Sequence, residues 1–204
     1  MPFGYIGQNQ TKQKIKNSGV LSSFDVSHLE KQGHASGSIE HIETETFNGV
    51  STVNFDDLGN FETHLFVMNN IHLDDNRDQN LYAKTGGSVD DGSHYSRAFV
   101  TGGSADGEDR DNSLNRFRLW AQTGNATGEA FCGWLYMYNA LDSSKYTLFN
   151  QFGSQTIYNG VQEINFGGGA YKQNNTLSGI QFYPSSSTMA GSIELYGIKN
   201  LWVT

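Results

Sequence analysis

The chain is short of cysteine, proline, alanine and basic side chains, and each shortage excludes something. One cysteine, Cys132, stands in 204 residues. No internal disulfide can form, and the chain reads as one made and kept folded in a cytoplasm. Two prolines, no three-residue glycine period and no heptad run leave no collagen-type or coiled-coil shaft. Alanine numbers 10, against 24 Gly, 19 Asn and 20 Ser that together fill 63 positions. The three abundant residues lower helix propensity, which argues against a helical bundle. Thirteen basic side chains face 21 acidic ones, for a net charge of −8 and a pI near 5.1. That balance opposes the phosphate-neutralising face that nucleic-acid binding needs. Mean hydropathy is −0.52, and no apolar run is long enough to insert into a membrane as a helix. The start, Met1-Pro2-Phe3-Gly4-Tyr5, has no basic segment followed by an apolar one, so no secretory signal is expected.

Aromatic residues are plentiful: 13 Phe, 10 Tyr and 3 Trp. A chain this rich in aromatics buries a real core. Its charge is divided unevenly. Residues 1–31 carry Lys12, Lys14, Lys16 and Lys31 against Asp25 and Glu30, a net of +2. Residues 32–204 carry nine basic and 19 acidic groups, a net of −10. Residues 1–36 read as an extended arm ending in a short helix over 23–32. Ser22 or Ser23 caps that helix and Gly33 ends it.

From residue 37 to 204 the pattern is short strands with Gly, Asn and Ser punctuation. Expected strands are Ser38–Phe47, Ser51–Phe55, Phe61–Asn70, Tyr82–Lys84, His94–Val100, Phe117–Gln122, Ala130–Asn139, Lys145–Asn150, Glu163–Phe166, Gly179–Tyr183 and Ser192–Ile198. A hairpin through Gly124–Gly128 is expected to join Phe117–Gln122 to Ala130–Asn139. About eleven short strands in one domain fit an all-β, jelly-roll-like antiparallel sandwich.

Motifs with chemistry are sparse. Asp74, Asn76, Asp78 and Asn80 alternate as oxygen ligands do in a calcium loop, but Gln79 stands where Gly is needed and Thr85 where Glu is needed. An acidic turn is expected there, with no metal, and the Asp106–Asp111 run reads as a solvated loop. Six histidines show no zinc spacing, and His64, amid Leu65, Phe66 and Val67, reads as a strand residue with a satisfied ring. Cys132 reads as a buried small apolar residue. No nucleophile elbow, phosphate loop or dinucleotide fingerprint is present, so no catalytic residue and no cofactor is expected. Trp120, Trp134, Tyr136 and Tyr138 are read as core or subunit-interface aromatics, or as a sugar-stacking platform if they face solvent.

The run Phe24-Asp25-Val26-Ser27-His28-Leu29-Glu30-Lys31-Gln32-Gly33, followed by Gly37-Ser38-Ile39-Glu40-His41-Ile42, resembles the start of tail-associated virion proteins of marine tailed bacteriophages. Tyr95 in Ser93-His94-Tyr95, Gly179-Ile180-Gln181-Phe182-Tyr183 and the closing Gly191-Ser192-Ile193-Glu194-Leu195-Tyr196-Gly197-Ile198 extend the likeness. The resemblance implies a jelly-roll or concanavalin-like β-sandwich and a place in a virion. It implies a non-enzymatic structural role as a short tail fibre, a tail or baseplate adaptor, or a capsid decoration protein. Partners would be other virion proteins, further copies in a homotrimer, and a host surface glycan. On this expectation the arm docks through Phe3, Tyr5 and Ile6, with Lys12, Lys14 and Lys16 steering by charge. Two other classes stay open: a free carbohydrate-binding module, and a glycan-cleaving enzyme.

Overall fold

A computed structural model describes residues 39–103 and 107–199. All belong to the unit that begins at Ser38. The expected arm and its helix over 23–32 lie outside them.

Thirteen strands follow in chain order. They are β1 (Ile39–Val50), β2 (Val53–Phe55), β3 (Thr63–Leu73), β4 (Arg77–Thr85), β5 (Ser88–Val89), β6 (Tyr95–Gly102), β7 (Gly107–Leu114), β8 (Phe117–Thr123), β9 (Phe131–Tyr138), β10 (Thr147–Thr156), β11 (Gln162–Tyr171), β12 (Gly179–Pro184) and β13 (Met189–Ile198). They form two antiparallel sheets. The larger runs β1-β13-β3-β9-β10-β11-β6-β7 and the smaller β2-β12-β4-β5, with β8 also paired to β4. The described residues are all-β and fold as a sandwich.

Period-two alternation builds the core. On β10 the residues Thr147, Phe149, Gln151, Gly153 and Gln155 turn inward and their neighbours outward. Phe66, Phe55 and Phe182 meet edge to face between the sheets, with centroids 5.2 to 5.9 Å apart. His64 on β3 is fully buried, its Nε2 2.8 Å from the Leu58 carbonyl oxygen. Burial pushes its pKa below the ordinary value, and its Nδ1 is buried without a partner, so the ring is satisfied at one nitrogen rather than at both.

Several expectations need correction. The Gly124–Gly128 connection is not a hairpin, because β8 pairs with β4 in one sheet while β9 pairs with β3 and β10 in the other. It carries the chain across the sandwich. The Asp106–Asp111 run is not a solvated loop from Gly107 on. Residues 107–114 form β7, an edge strand on β6, and an edge strand needs no apolar face to pair. The Asp74–Asn80 run is not one turn. Only Asp74 to Asn76 bend, and Asp78 and Asn80 lie on β4.

Candidate binding face

The outer face of the larger sheet is where the sequence and the fold disagree most usefully. One register row crosses all eight strands: Thr44, Glu194, Val67, Trp134, Phe152, Phe166, Val100, Glu108. Acidic residues stand near both ends, and five apolar residues fill the middle. The neighbouring outward positions add Leu148 and Ile164. Exposure is 38% at Trp134, 40% at Phe152, 45% at Phe166, 39% at Val100, 45% at Leu148 and 46% at Ile164. Six large apolar side chains on one face of the sheet are therefore wet, and no described element covers them.

The same face lacks charge. Outward positions on β3, β9, β10, β11 and β6 hold no Asp, Glu, Lys or Arg. The charges of β11 and β6 point inward: Glu163 is in hydrogen-bond contact with Gln155 Nε2, and Arg97 pairs with Asp109 at 2.7 Å. Charge gathers instead on the two edge strands, as Glu40, Glu43 and Glu45 on β1 and Glu108, Asp109, Arg110 and Asp111 on β7.

The rings on this face lean on one another. Trp134 and Phe152 stack across the β9–β10 pair at 5.9 Å and 27°. Tyr136 and Tyr138 stack along β9 at 6.1 Å and 19°. Trp134 meets Tyr136 edge to face at 5.2 Å. A ring stacked on its neighbour offers that face to the neighbour rather than to a ligand.

Of the four aromatics singled out in the sequence, Trp134, Tyr136 and Tyr138 come together here. Trp120 does not. It is fully buried and stacks on Phe131 at 4.4 Å and 22°. Arg118 pairs with Asn80 but Trp120 with Gln79. The extra residue, Leu119, is a bulge that lets Leu119 and Trp120 both turn inward. Cys132 is exposed rather than buried. It shares the outer face of β9, and its Sγ accepts the Asn70 N–H at 3.3 Å. Phe152, Phe166, Leu148, Ile164 and Val100 were missed. Sequence alternation identifies two faces on β10 but not which is inside, since Phe149 and Phe152 fall on opposite ones. The expected docking residues Phe3, Tyr5, Ile6, Lys12, Lys14 and Lys16 lie outside the described residues.

Two polar clusters lie away from this face. An open groove is lined by Ile42, Glu43, Glu45, Asn54, Asp56 and Asp57. Desolvation, then the charges of Glu45, Asp57 and Asp56, push the Glu43 carboxyl up. Lys84 partly offsets that charge through contacts to Asp56 at 2.5 Å and Asn54 at 3.3 Å. Elsewhere Asp90 ties a turn to the sheet. It accepts from the Tyr171 hydroxyl and the Gly92 N–H and contacts His94 Nδ1 at 2.9 Å, while its carbonyl accepts the Tyr95 hydroxyl at 2.7 Å. Burial pushes its carboxyl up, but the bonds from Tyr171, Gly92 and His94 together hold it below the ordinary range.

The calcium-like residues are engaged separately. Asp74 accepts from Thr188, Asp75 pairs with Arg77 at 2.7 Å, and Asp78 accepts the Gln122 N–H at 3.2 Å. Among the described residues no group of three metal-ligating side chains converges. The described residues hold no helix long and apolar enough to cross a membrane, which says nothing of strands. The chain matches no family model, no curated protein and no solved structure.

Proposed function

We propose that this chain is a non-enzymatic structural protein of a tailed bacteriophage virion, a short tail fibre or a tail or baseplate adaptor. Its sandwich is a jelly roll with one widened sheet. Strand pairing supports the fold reading. With β5–β7 and β10–β11 set aside, eight strands remain, four to a sheet: β1-β13-β3-β9 and β2-β12-β4-β8. Strands counted from one end pair with strands counted from the other, β1 with β13, β2 with β12, β3 with β9 and β4 with β8. That is the order of a rolled-up double strand. Of the strands set aside, β10, β11, β6 and β7 widen the larger sheet, and the two-residue β5 pairs with β4 in the smaller one.

Fold alone assigns no role. The observation that carries the functional reading is the uncharged apolar face in a chain of net charge −8. Depletion of charge with enrichment of aromatics is the mark of a protein interface core, and an exposed apolar patch of this extent marks a contact surface. The basic stretch 1–31 and the resemblance of residues 24–42 point to docking on a preassembled particle. A carbohydrate-binding module is the second reading, favoured by the exposure of Trp134 and by Asn150 standing opposite Tyr136 on the same face. The mutual stacking of the rings weighs against it.

Antibody raised against the folded chain and applied to purified tailed phage particles tests the proposal. Label on the tail is expected. Signal found only on free protein would sink the reading. Deleting residues 1–21 should leave the melting transition nearly intact yet stop incorporation. Replacing Lys12, Lys14 and Lys16 by Gln should weaken docking mainly at low salt, where exposed charges are least screened.

A further inference from the structure

We infer that the uncharged outer face joins two copies of this chain, packed sheet against sheet about a two-fold axis. The inference rests on the assembly reading above and names the partner at that face. Charge is the first argument. Two copies of an acidic body repel wherever like charges meet. They approach most easily through surface without charge, and five adjacent strands supply it. A basic partner would be met by an acidic face instead.

Area is the second. Five strands spaced ~4.8 Å apart, each running about seven residues at ~3.3 Å, make a patch on the order of 600 Å² before side-chain relief is added. A stable interface buries about 800 Å² per partner, so the patch with its rim is large enough for one contact. Edge chemistry is the third. The acidic side chains of β1 and β7 discourage growth by strand addition at either end of the sheet, which leaves the face as the route.

Symmetry follows from the patch being one surface. A single self-complementary patch makes an isologous pair, whereas a three-fold ring needs two different patches that match each other. The face therefore favours a pair over the homotrimer that the resemblance implies. Aligned sheets pack with their faces ~10 Å apart, close enough for Trp134, Phe152 and Phe166 to interdigitate with their counterparts.

Cys132 provides the test, being the chain's one cysteine and exposed on this face two residues from Trp134. Sedimentation of the full chain and the rate of Cys132 labelling by a maleimide are measured together across a concentration series. A dimer mass is expected, with labelling slowed at least tenfold as the dimer forms. Phe152→Lys should give a monomer that melts with the dilute, monomeric wild type and labels fast at every concentration. Ile164→Lys should do the same, guarding against misfolding of one variant. A wild-type chain still monomeric at about 100 µM, a concentration that would populate even a weak dimer, overturns the inference. So does a trimer, or a dimer whose Cys132 labels at the monomer rate. A polysaccharide that protects Cys132 without changing the mass would transfer the face to a glycan. Particles that incorporate a strictly monomeric chain would defeat this inference and spare the assembly reading, while a dimer absent from particles would do the reverse.

Discussion

The indole of Trp120 fills the space that a side chain on Gly153 would need. A Cβ built on Gly153 would stand 2.1 Å from Trp120 Cζ2, and one on the directly paired Gly133 would stand 2.9 Å from the same atom. Two glycines facing each other across β9 and β10 thus form the floor on which a buried tryptophan lies. Neither has a backbone conformation reserved for glycine, so the constraint is space alone.

Gly153→Ala should therefore destabilise the sandwich by overpacking, by about 1–3 kcal/mol. Trp120→Phe should cost a similar amount by leaving a void. Because the added methyl and the removed ring share one volume, the double variant should lose clearly less than the sum. Urea titrations of all four proteins measure this. Strict additivity would show that the indole does not rest on Gly153.

Glu43 carries a raised pKa from desolvation and from Glu45, Asp57 and Asp56. A carboxyl raised in the folded state penalises folding once ionised. The penalty is absent below the unfolded value and grows as pH rises through the folded one. Glu43→Gln should stabilise the protein at pH 7 by on the order of 0.5 kcal/mol or less, because the groove is open to screening water. At acid pH, where both states hold the proton, the gain should vanish. Melting temperatures of the two proteins across a pH series check the sign.

Asp90 behaves oppositely. Its folded pKa is depressed, so the stability it contributes is present above the unfolded value and is lost as pH falls through the folded one. Tyr171→Phe removes a hydroxyl donated to that carboxylate and should cost about 1–2 kcal/mol at neutral pH. The gap to wild type should narrow on acidification, which denaturation at several pH values reads directly. A gap independent of pH would mean that the hydroxyl acts by packing alone.

Asp74, Asp75 and Asp78 spend their carboxylates on Thr188, Arg77 and the Gln122 N–H. Removing divalent ions should leave the melting temperature unchanged. An ion held at a hundredfold excess over its dissociation constant would add about 2.7 kcal/mol. A calorimetric scan with EDTA, then with calcium restored, would expose that difference as a shift of several degrees.

Much of the fold was legible in local pattern. Glycine, asparagine and serine punctuation with alternating aromatics marks most of the strands, because a half-buried pleated surface demands period two. Three features were not legible. Gly107–Leu114 has no apolar alternation and is a strand only because β6 offers it an open row of backbone donors and acceptors. Trp120 points inward only because a bulge against β4 shifts its register. The uncharged outer face was half visible: the aromatics of β9 stood out in the sequence, but Phe152, Phe166 and Val100 join them only through pairing across four strands.

Composition and alternation thus decide that this chain forms strands and that β9 is apolar on both sides. They carry no information on which side is buried. Phe131, Leu135 and Met137 compete with Trp134, Tyr136 and Tyr138 for the core on nearly equal hydrophobic terms. The tertiary structure settles it, since Trp120 from the opposite sheet needs the Gly133–Gly153 floor, and that floor lies on the side of Leu135. Once those glycines face inward, the period of two turns Trp134 and its neighbours out to water.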